Sequence, residues 1–221
     1  MCGVLAIISI DPSKNLAEAG LKQKTYGKLL KLTERRGQDT SGVAVFSANE
    51  CTVLRHNSSA TKSLNAVALA KTRALIAHGR MITNGNKDNQ PVVKNESVLV
   101  HNGIITNESV LRGRVESDAE FEIDSEILID LYLSSNSTAR FSEAQGAINA
   151  LVWSKHTNSI HSYSNTGDLF ALYTENLIIV TSEEFSLKNI NSDFEIPGTI
   201  VSLSGEHCLC DDLTANKSPV F

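Results

Sequence analysis

The chain begins with MCGVLAIISI (residues 1–10), and this stretch decides how the rest is interpreted. The unbroken apolar run, ended by Asp11-Pro12, predicts a buried β-strand. Cys2 is small enough that removal of Met1 is expected, which leaves a thiol and a free α-amine on one carbon. Because their ordinary pKa values are about 8.5 and about 8, the amine can take the thiol's proton near neutral pH, directly or through one water. A cysteine at position 2 is also compatible with an accident of the start site, so the chain must supply oxyanion donors and substrate clamps.

Length and composition predict one globular domain of 221 residues, with 41% hydrophobic residues, 20% charged residues and a net charge of −5. No apolar run approaches the length of about 18 residues that would predict a membrane span, and no signal peptide or basic nucleic-acid-binding patch is present. The four cysteines do not form a disulfide framework, so we expect a cytoplasmic protein. The spacing of Cys208 and Cys210 is shorter than that of zinc knuckles, so we assign no metal and no cofactor.

The first half of the chain reads as strands separated by helices. We expect helix over residues 15–35 with Gly37 at its C′ position, a hairpin from 42–46 and 51–56, and weak helix over 61–73. Strands are predicted at 73–78 and 97–101, a long polar loop at 79–91, a short helix from Asn107, and a helix after Asp124-Ser125.

The second half consists of short β-type runs at close spacing, which is typical of an antiparallel meander. These runs are AINALVW, SIHSYS, DLFALY, NLIIVTS and GTIVSLS. Two antiparallel sheets faced by helices would bury all of the apolar faces, so the predicted fold class is α+β.

Three polar clusters lie beside strand ends, and each has a structural and a functional interpretation. Arg80 is compatible with a surface ion pair, or its planar fork can bind a carboxylate. Asn102-Gly103 is compatible with a turn, or an amide N–H beside an unhindered glycine N–H can form an oxyanion hole. Asp124 is compatible with a helix cap, or it can hold a substrate ammonium.

Taken together, these clusters resemble the glutaminase domain of the class II glutamine amidotransferases, which use an N-terminal nucleophile. Members include the amidotransferases of purine and hexosamine synthesis and asparagine synthetase. The matching motifs are Cys2-Gly3, Arg36-Gly37-Gln38-Asp39-Thr40-Ser41-Gly42, Ala77-His78-Gly79-Arg80-x-x-Thr83-x-Gly85, Asn89-Gln90-Pro91, His101-Asn102-Gly103-x-x-Thr106-Asn107 and Asp124-Ser125-Glu126. Weaker matches near 146–147, 181–183 and 196–199 extend the resemblance over nearly the whole chain.

The resemblance implies a four-layer αββα sandwich of the N-terminal nucleophile hydrolase type and hydrolysis of L-glutamine. Cys2 would attack the side-chain amide, and its α-amine would carry the proton to the departing ammonia. Asn102 and the Gly103 N–H would stabilise the oxyanion before water resolves a γ-glutamyl thioester.

The resemblance also assigns substrate-binding residues. Arg80 would bind the α-carboxylate of glutamine and Asp124 its α-amino group. Thr83, Arg36 and Gly37 would line the pocket and position the nucleophile.

Two departures from the family pattern affect these expectations. Position 81 is Met where relatives commonly carry an aromatic residue, and position 84 is Asn, so closure of this loop over the pocket is in question. The resemblance covers residues 1–221 as a single glutaminase domain with no synthase domain, so we expect a separate subunit to accept the ammonia.

Two other functions stay open. A non-catalytic module that senses glutamine would keep the pocket without turnover. An N-terminal nucleophile hydrolase for a different amide would keep the nucleophile but has no need of paired clamps such as Arg80 and Asp124.

Overall fold

The computed structural model describes residues 2–47, 50–81, 90–115 and 123–213. The described strands are β1 (Gly3–Ser9), β2 (Thr40–Phe46), β3 (Cys51–His56), β4 (Ala74–Arg80), β5 (Val92–Lys94), β6 (Ser97–Ile105), β7 (Gly146–Ser154), β8 (Ser159–Tyr173), β9 (Leu177–Thr181) and β10 (Thr199–Cys210). The described α-helices are α1 (Gln23–Glu34), α2 (Ala60–Ser63), α3 (Glu108–Arg112), α4 (Glu126–Leu133) and α5 (Glu184–Asn191). Among these helices none is both long and apolar enough to cross a membrane.

The described strands form one hydrogen-bonded ladder in the order β3-β2-β4-β1-β9-β8-β7-β6-β5, with β10 paired to β8. All pairings are antiparallel. The first part of β8 pairs with β7 and its last part with β9, so β8 connects two halves of the ladder. The halves fold face to face, and the ring centroids of Phe46 on β2 and Trp153 on β7 lie 4.9 Å apart.

Strand β1 is buried on both faces, which explains its unbroken apolar sequence. Val4, Ala6 and Ile8 face the core between the two sheets, whereas Leu5 and Ile7 face a second core against α1 and α5. A third core lies between the β5–β8 half and α4. The layers are therefore helix, sheet, sheet and helix, and the predicted αββα sandwich is confirmed.

Three expectations about individual elements were wrong. Helix α1 begins at Gln23 rather than near residue 15, because residues 15–22 form turns in which Leu16 N–H donates to Thr72 O. Most of 61–73 is not α-helical and holds only the end of α2 and a 3₁₀ turn at Leu69–Lys71. The two runs SIHSYS and DLFALY belong to one long strand, β8, which bends near Gly167 (φ +77°).

Candidate active site

Cys2 immediately precedes β1, in the middle of the first half of the ladder. The pairing of Gly3 with Gly79 brings Cys2 to the end of β4, where Arg80 lies, and Cys2 Sγ is 4.0 Å from Met81 O. A side chain at Gly3 would lie 2.4 Å from Thr33 O, so α1 packs directly on this strand start. The sheet therefore presents the thiol beside the predicted carboxylate clamp.

Arg36 fixes the backbone of Cys2. Its Nε donates to Cys2 O at 3.1 Å, and its Nη1 donates to Ser182 O at 3.2 Å and to Glu183 Oε1 at 2.9 Å. Ser182 Oγ also accepts from Val4 N at 3.1 Å. The residue predicted to position the nucleophile thus ties the start of β1 to the segment that follows β9.

Asn102 meets Cys2 from the opposite half of the ladder. Cys2 N–H donates to Asn102 Oδ1 at 3.1 Å, so the Nδ2 amide group is left to face elsewhere. The backbone of Asn102 is held by Asn149, whose Nδ2 donates to Asn102 O at 3.3 Å. Asn149 Oδ1 in turn accepts from Ser164 Oγ at 2.7 Å, which fixes the orientation of its amide.

Asn102 and Gly103 lie within β6, not in the turn that Asn-Gly usually forms. One edge of β6 pairs with β7, and side chains satisfy its other edge beyond β5. There the side chain of Gln90 makes two hydrogen bonds with the His101 backbone: His101 N–H donates to Gln90 Oε1 at 2.8 Å, and Gln90 Nε2 donates to His101 O at 3.0 Å. Farther along the same edge, Ile105 N–H donates to Asp124 Oδ2 at 2.8 Å. Because alternate residues of a strand face the same edge, the Gly103 N–H points outward between these two contacts.

Gly103 cannot be replaced without moving the strand. Its φ is +154°, and a Cβ built there would lie 1.8 Å from Ala147 O. Glycine therefore allows β6 and β7 to approach each other closely at this point.

A cavity of about 340 Å³ lies in front of these groups. Cys2 and Gly103 contribute to its wall together with one cationic side chain, Arg80, and two acidic ones, Glu108 and Asp124. The other lining residues are Met81, Gln90, His101, Ile104, Ile105, Ile123 and Ser125. A small cavity whose described lining includes a cationic side chain and carboxylates is complementary to a free α-amino acid, which carries both charges.

Two buried histidines stand near the site. Burial, with smaller contributions from His101 and Arg80, lowers the pKa of His78 to about 3. Burial also lowers the pKa of His101, although Asp124 opposes the shift. Both shifts favour the neutral imidazole, and among the described residues that line the cavity the cationic side chain is that of Arg80.

Gly37 lies in the segment that follows α1, at the point where its backbone crosses the end of β4. A Cβ at Gly37 would lie 2.3 Å from Gly79 O, and Asp39 N–H donates to Arg80 O at 3.0 Å. This close approach, rather than a left-handed C′ conformation, accounts for glycine at this position. Thr83, the remaining predicted site residue, lies outside the described residues.

Within the described ranges, no group of three or more His, Cys, Asp or Glu side chains is placed to hold a metal ion. The site as described consists of a thiol, amide and backbone N–H groups, and charged side chains.

A family model for the glutamine amidotransferase domain matches residues 78–189, which is more than half of the chain. The chain belongs to this family. The matched segment contains the end of β4 with Arg80, the strand with Asn102-Gly103, and Asp124 just before α4, so it covers both predicted clamps and the predicted oxyanion donors.

Similar proteins of known name agree with this assignment. The amidotransferase domain is 24% identical over 215 residues to glutamine–fructose-6-phosphate aminotransferase (isomerizing) of Staphylococcus aureus, covering 88% of this chain and 34% of that protein. The Bacillus cereus enzyme of the same name is 24% identical over 212 residues, with the same coverage. Among solved structures, glutamine phosphoribosylpyrophosphate amidotransferase from Bacillus subtilis superposes with a TM-score of 0.72 at 18% identity, covering 95% of this chain and 47% of that one. The domain thus spans about a third to a half of these relatives.

The sequence motifs included further residues whose roles they did not reveal. Gln90, His101 and Ser125 belong to the motifs, but the sequence assigns them no role, whereas in the structure Gln90 Nε2 and His101 Nδ1 lie 3.4 and 3.0 Å from Ser125 Oγ. Glu183, a weaker match, pairs with Arg36. The signal that could have found them is their position directly beside predicted site residues.

Proposed function

We propose that this chain hydrolyses the side-chain amide of L-glutamine, with the thiol of Cys2 as nucleophile after removal of Met1. The observation that carries the proposal is the contact between Cys2 N and Asn102 Oδ1, made across the two halves of the ladder at 3.1 Å. It joins a nucleophile and an oxyanion donor that are 100 residues apart in the sequence. Once Met1 is removed, the same nitrogen becomes a free amine anchored by Asn102.

The amine of Cys2 is the general base in this proposal. It takes the thiol proton, and it later delivers a proton to the departing ammonia. Because the Cys2 amine is held by Asn102 Oδ1, Asn102 Nδ2 can donate to the tetrahedral oxyanion. The outward-facing N–H of Gly103, which also lines the cavity, is the second donor. Loss of one such donor costs about 10²–10³ in rate. Water then hydrolyses the γ-glutamyl thioester to glutamate.

The substrate is bound through its α-carbon groups. Arg80 forms a charge-assisted contact with the carboxylate, and Asp124 accepts from the ammonium. Both side chains line the cavity with Cys2. We assign Arg36 and Gly37 to positioning Cys2 and the end of β4, and Thr83 to the pocket wall.

We propose in addition that a synthase on a separate subunit receives the ammonia. Two exposed apolar side chains at the cavity rim support this, because Met81 is 44% and Ile104 63% accessible. The names of the relatives support transfer of glutamine nitrogen to a second substrate.

The experiment is glutamine hydrolysis by purified protein, compared with a Cys2→Ala variant and with Cys208→Ala as a thiol control. We expect wild type and Cys208→Ala to release glutamate and ammonia, and Cys2→Ala to release neither. Glutamine binding without turnover, even after addition of cell lysate, would identify a glutamine-sensing module instead. Turnover of other amides in preference to glutamine would identify a different N-terminal nucleophile hydrolase.

A further inference from the structure

A buried chain of polar groups lies behind the cavity and joins β6 to the start of α4. His101 is 2% and Ser125 2% accessible, and His101 Nδ1 lies 3.0 Å from Ser125 Oγ. On its other side, His101 Nε2 lies 3.2 Å from Ala147 O. Gln90 Nε2 approaches Ser125 Oγ at 3.4 Å while also bonding His101 O.

The directions of these hydrogen bonds follow from the acceptor at one end. A carbonyl oxygen can only accept, so His101 Nε2 carries the proton and donates to Ala147 O. Because the ring is neutral, Nδ1 has a free lone pair and accepts from the Ser125 hydroxyl. Ser125 Oγ then accepts from Gln90. The donors then run from Gln90 through Ser125 and His101 to Ala147. Asp124 Oδ1, at 3.4 Å from Ser125 Oγ, is a second acceptor for the same hydroxyl proton, but the contact with His101 Nδ1 is shorter at 3.0 Å.

This chain flanks the predicted oxyanion donor. The backbone N–H groups of His101, Gly103 and Ile105 face the same edge of β6, and the segment that opens α4 contacts this stretch of β6 twice. Ser125 bonds His101 on one side of Gly103, and Asp124 bonds the Ile105 N–H on the other. The separation between the Gly103 N–H and the Asp124 carboxylate is therefore set by these two contacts.

We propose that His101 and Ser125 are a positioning pair that fixes the oxyanion donor Gly103 relative to the ammonium clamp Asp124. This inference rests on the proposed function, which assigns those two groups to the two ends of bound glutamine. Neither His101 nor Ser125 takes part in proton transfer. Because the imidazole is neutral, it places no cation beside the substrate ammonium.

Two substitutions of His101 separate its two contacts. His101→Asn puts an acceptor near the place of Nδ1 and keeps the Ser125 contact, whereas His101→Gln puts a donor near the place of Nε2 and keeps only the Ala147 contact. Ser125→Ala removes the shared contact from the other side. Ser159→Ala is the matched control, because Ser159 is also buried and its Oγ lies 2.8 Å from a histidine nitrogen, Nε2 of His161, at a distance from the cavity.

The kinetic test measures kcat and KM for glutamine in these variants. We expect Ser125→Ala and His101→Gln each to lower kcat/KM about ten-fold, with both kcat and KM affected, because the two ends of the substrate are no longer held in register. The double variant Ser125→Ala/His101→Gln should have a kcat/KM no lower than that of either single variant. The kcat/KM of His101→Asn should stay within about three-fold of wild type. Unchanged kcat/KM in folded Ser125→Ala, or an equal loss in Ser159→Ala, would overturn the pair.

A second readout does not need turnover. In ¹⁵N-labelled protein, Ser125→Ala should shift the Gly103 amide and His101 Nδ1 resonances, and Ser159→Ala should leave both in place. Absence of those shifts overturns the positioning pair. If Ser125→Ala shifts both resonances but the wild-type protein does not hydrolyse glutamine, the proposed function is overturned and the geometric link between Ser125, His101 and Gly103 still stands.

Discussion

Arg36 is the side chain that holds Cys2, the proposed nucleophile, in place. Its guanidinium reaches Cys2 O, Ser182 O and Glu183 at once, and lysine cannot reproduce this fork. We expect Arg36→Lys to lower kcat by about 10–100-fold with a small change in KM, because misplacement of a reacting group by about 1 Å has costs of this order.

Arg35→Lys is the matched control for this prediction. The Arg35 guanidinium carbon lies 5.5 Å from the Phe185 ring centroid and makes a surface cation–π contact. Its replacement should leave kcat within about two-fold of wild type. Equal kinetic losses in the two variants would mean that Arg36 acts only through general stability.

The three other cysteines are poor nucleophiles at neutral pH. Burial raises the pKa of Cys51 to about 11 and of Cys210 to about 11, and burial together with Asp211 raises that of Cys208 to about 12. Because the thiolate is the reactive form, these residues should stay unmodified at pH 7.5 and react only as pH approaches these values. Brief treatment with iodoacetamide should therefore label Cys2 alone, as read by peptide mass spectrometry. Labelling of Cys51 or Cys208 ahead of Cys2 would contradict this assignment.

Candidate site residues could be named from the sequence where a motif suggests the chemistry, but contacts between distant residues could not. Cys2, Arg80 and Asp124 were candidates from their types and neighbours. The contact of Ser125 with His101 spans 24 residues, and no local pattern specifies it.

At the scale of elements, Gly37 sets how closely the segment after α1 approaches β4. Gly37→Ala would place a Cβ 2.3 Å from Gly79 O and 2.5 Å from Arg80 C, both backbone atoms. We expect the end of β4 to shift, with KM for glutamine raised at least about ten-fold and the unfolding midpoint lowered.

Gly27→Ala provides the contrasting control within α1. Nothing lies within 4 Å of a Cβ at this position, so alanine should stabilise the helix by about 0.5–1 kcal/mol and leave KM unchanged. The pair can be compared by thermal unfolding and glutamine kinetics. A neutral effect of Gly37→Ala on KM would remove the proposed link between this glycine and Arg80.

Periodicity predicted the central elements well and their limits poorly. Strand β1 and the helix after Ser125 were found because each buries a continuous apolar run. Helix α1 was extended too far because Leu16 and Leu21 fit its period, although both are held by turn contacts. Asn102-Gly103 looked like a turn because the approach of Ala147 O, which demands glycine inside a strand, is a long-range feature.

At the scale of the whole molecule, buried neutral histidines predict acid sensitivity. The pKa of His78 is lowered to about 3 in the folded state, and burial lowers those of His101 and His161. The unfolded chain binds these protons near pH 6.5, so stability is fully present above that value and is lost as pH falls below it. For His78, whose folded pKa lies well below this range, the slope should approach about 1.4 kcal/mol per pH unit between pH 6 and pH 5.

Urea unfolding at several pH values measures this slope. We expect His78→Leu to reduce the slope of unfolding free energy against pH by about the contribution of one bound proton. His156→Gln, at an exposed position, should leave the slope unchanged. A slope that is the same in wild type and His78→Leu would show that His78 is not buried in its neutral form.

The central claim is that Cys2 acts as both nucleophile and base once its amine is free. The most direct measurement is the intact mass of active protein, quenched during glutamine turnover and followed by mapping of the N-terminal peptide. We predict a chain that lacks Met1 and carries one glutamyl group on Cys2. Fully active protein that retains Met1, or a glutamyl group on any other residue, would contradict the mechanism.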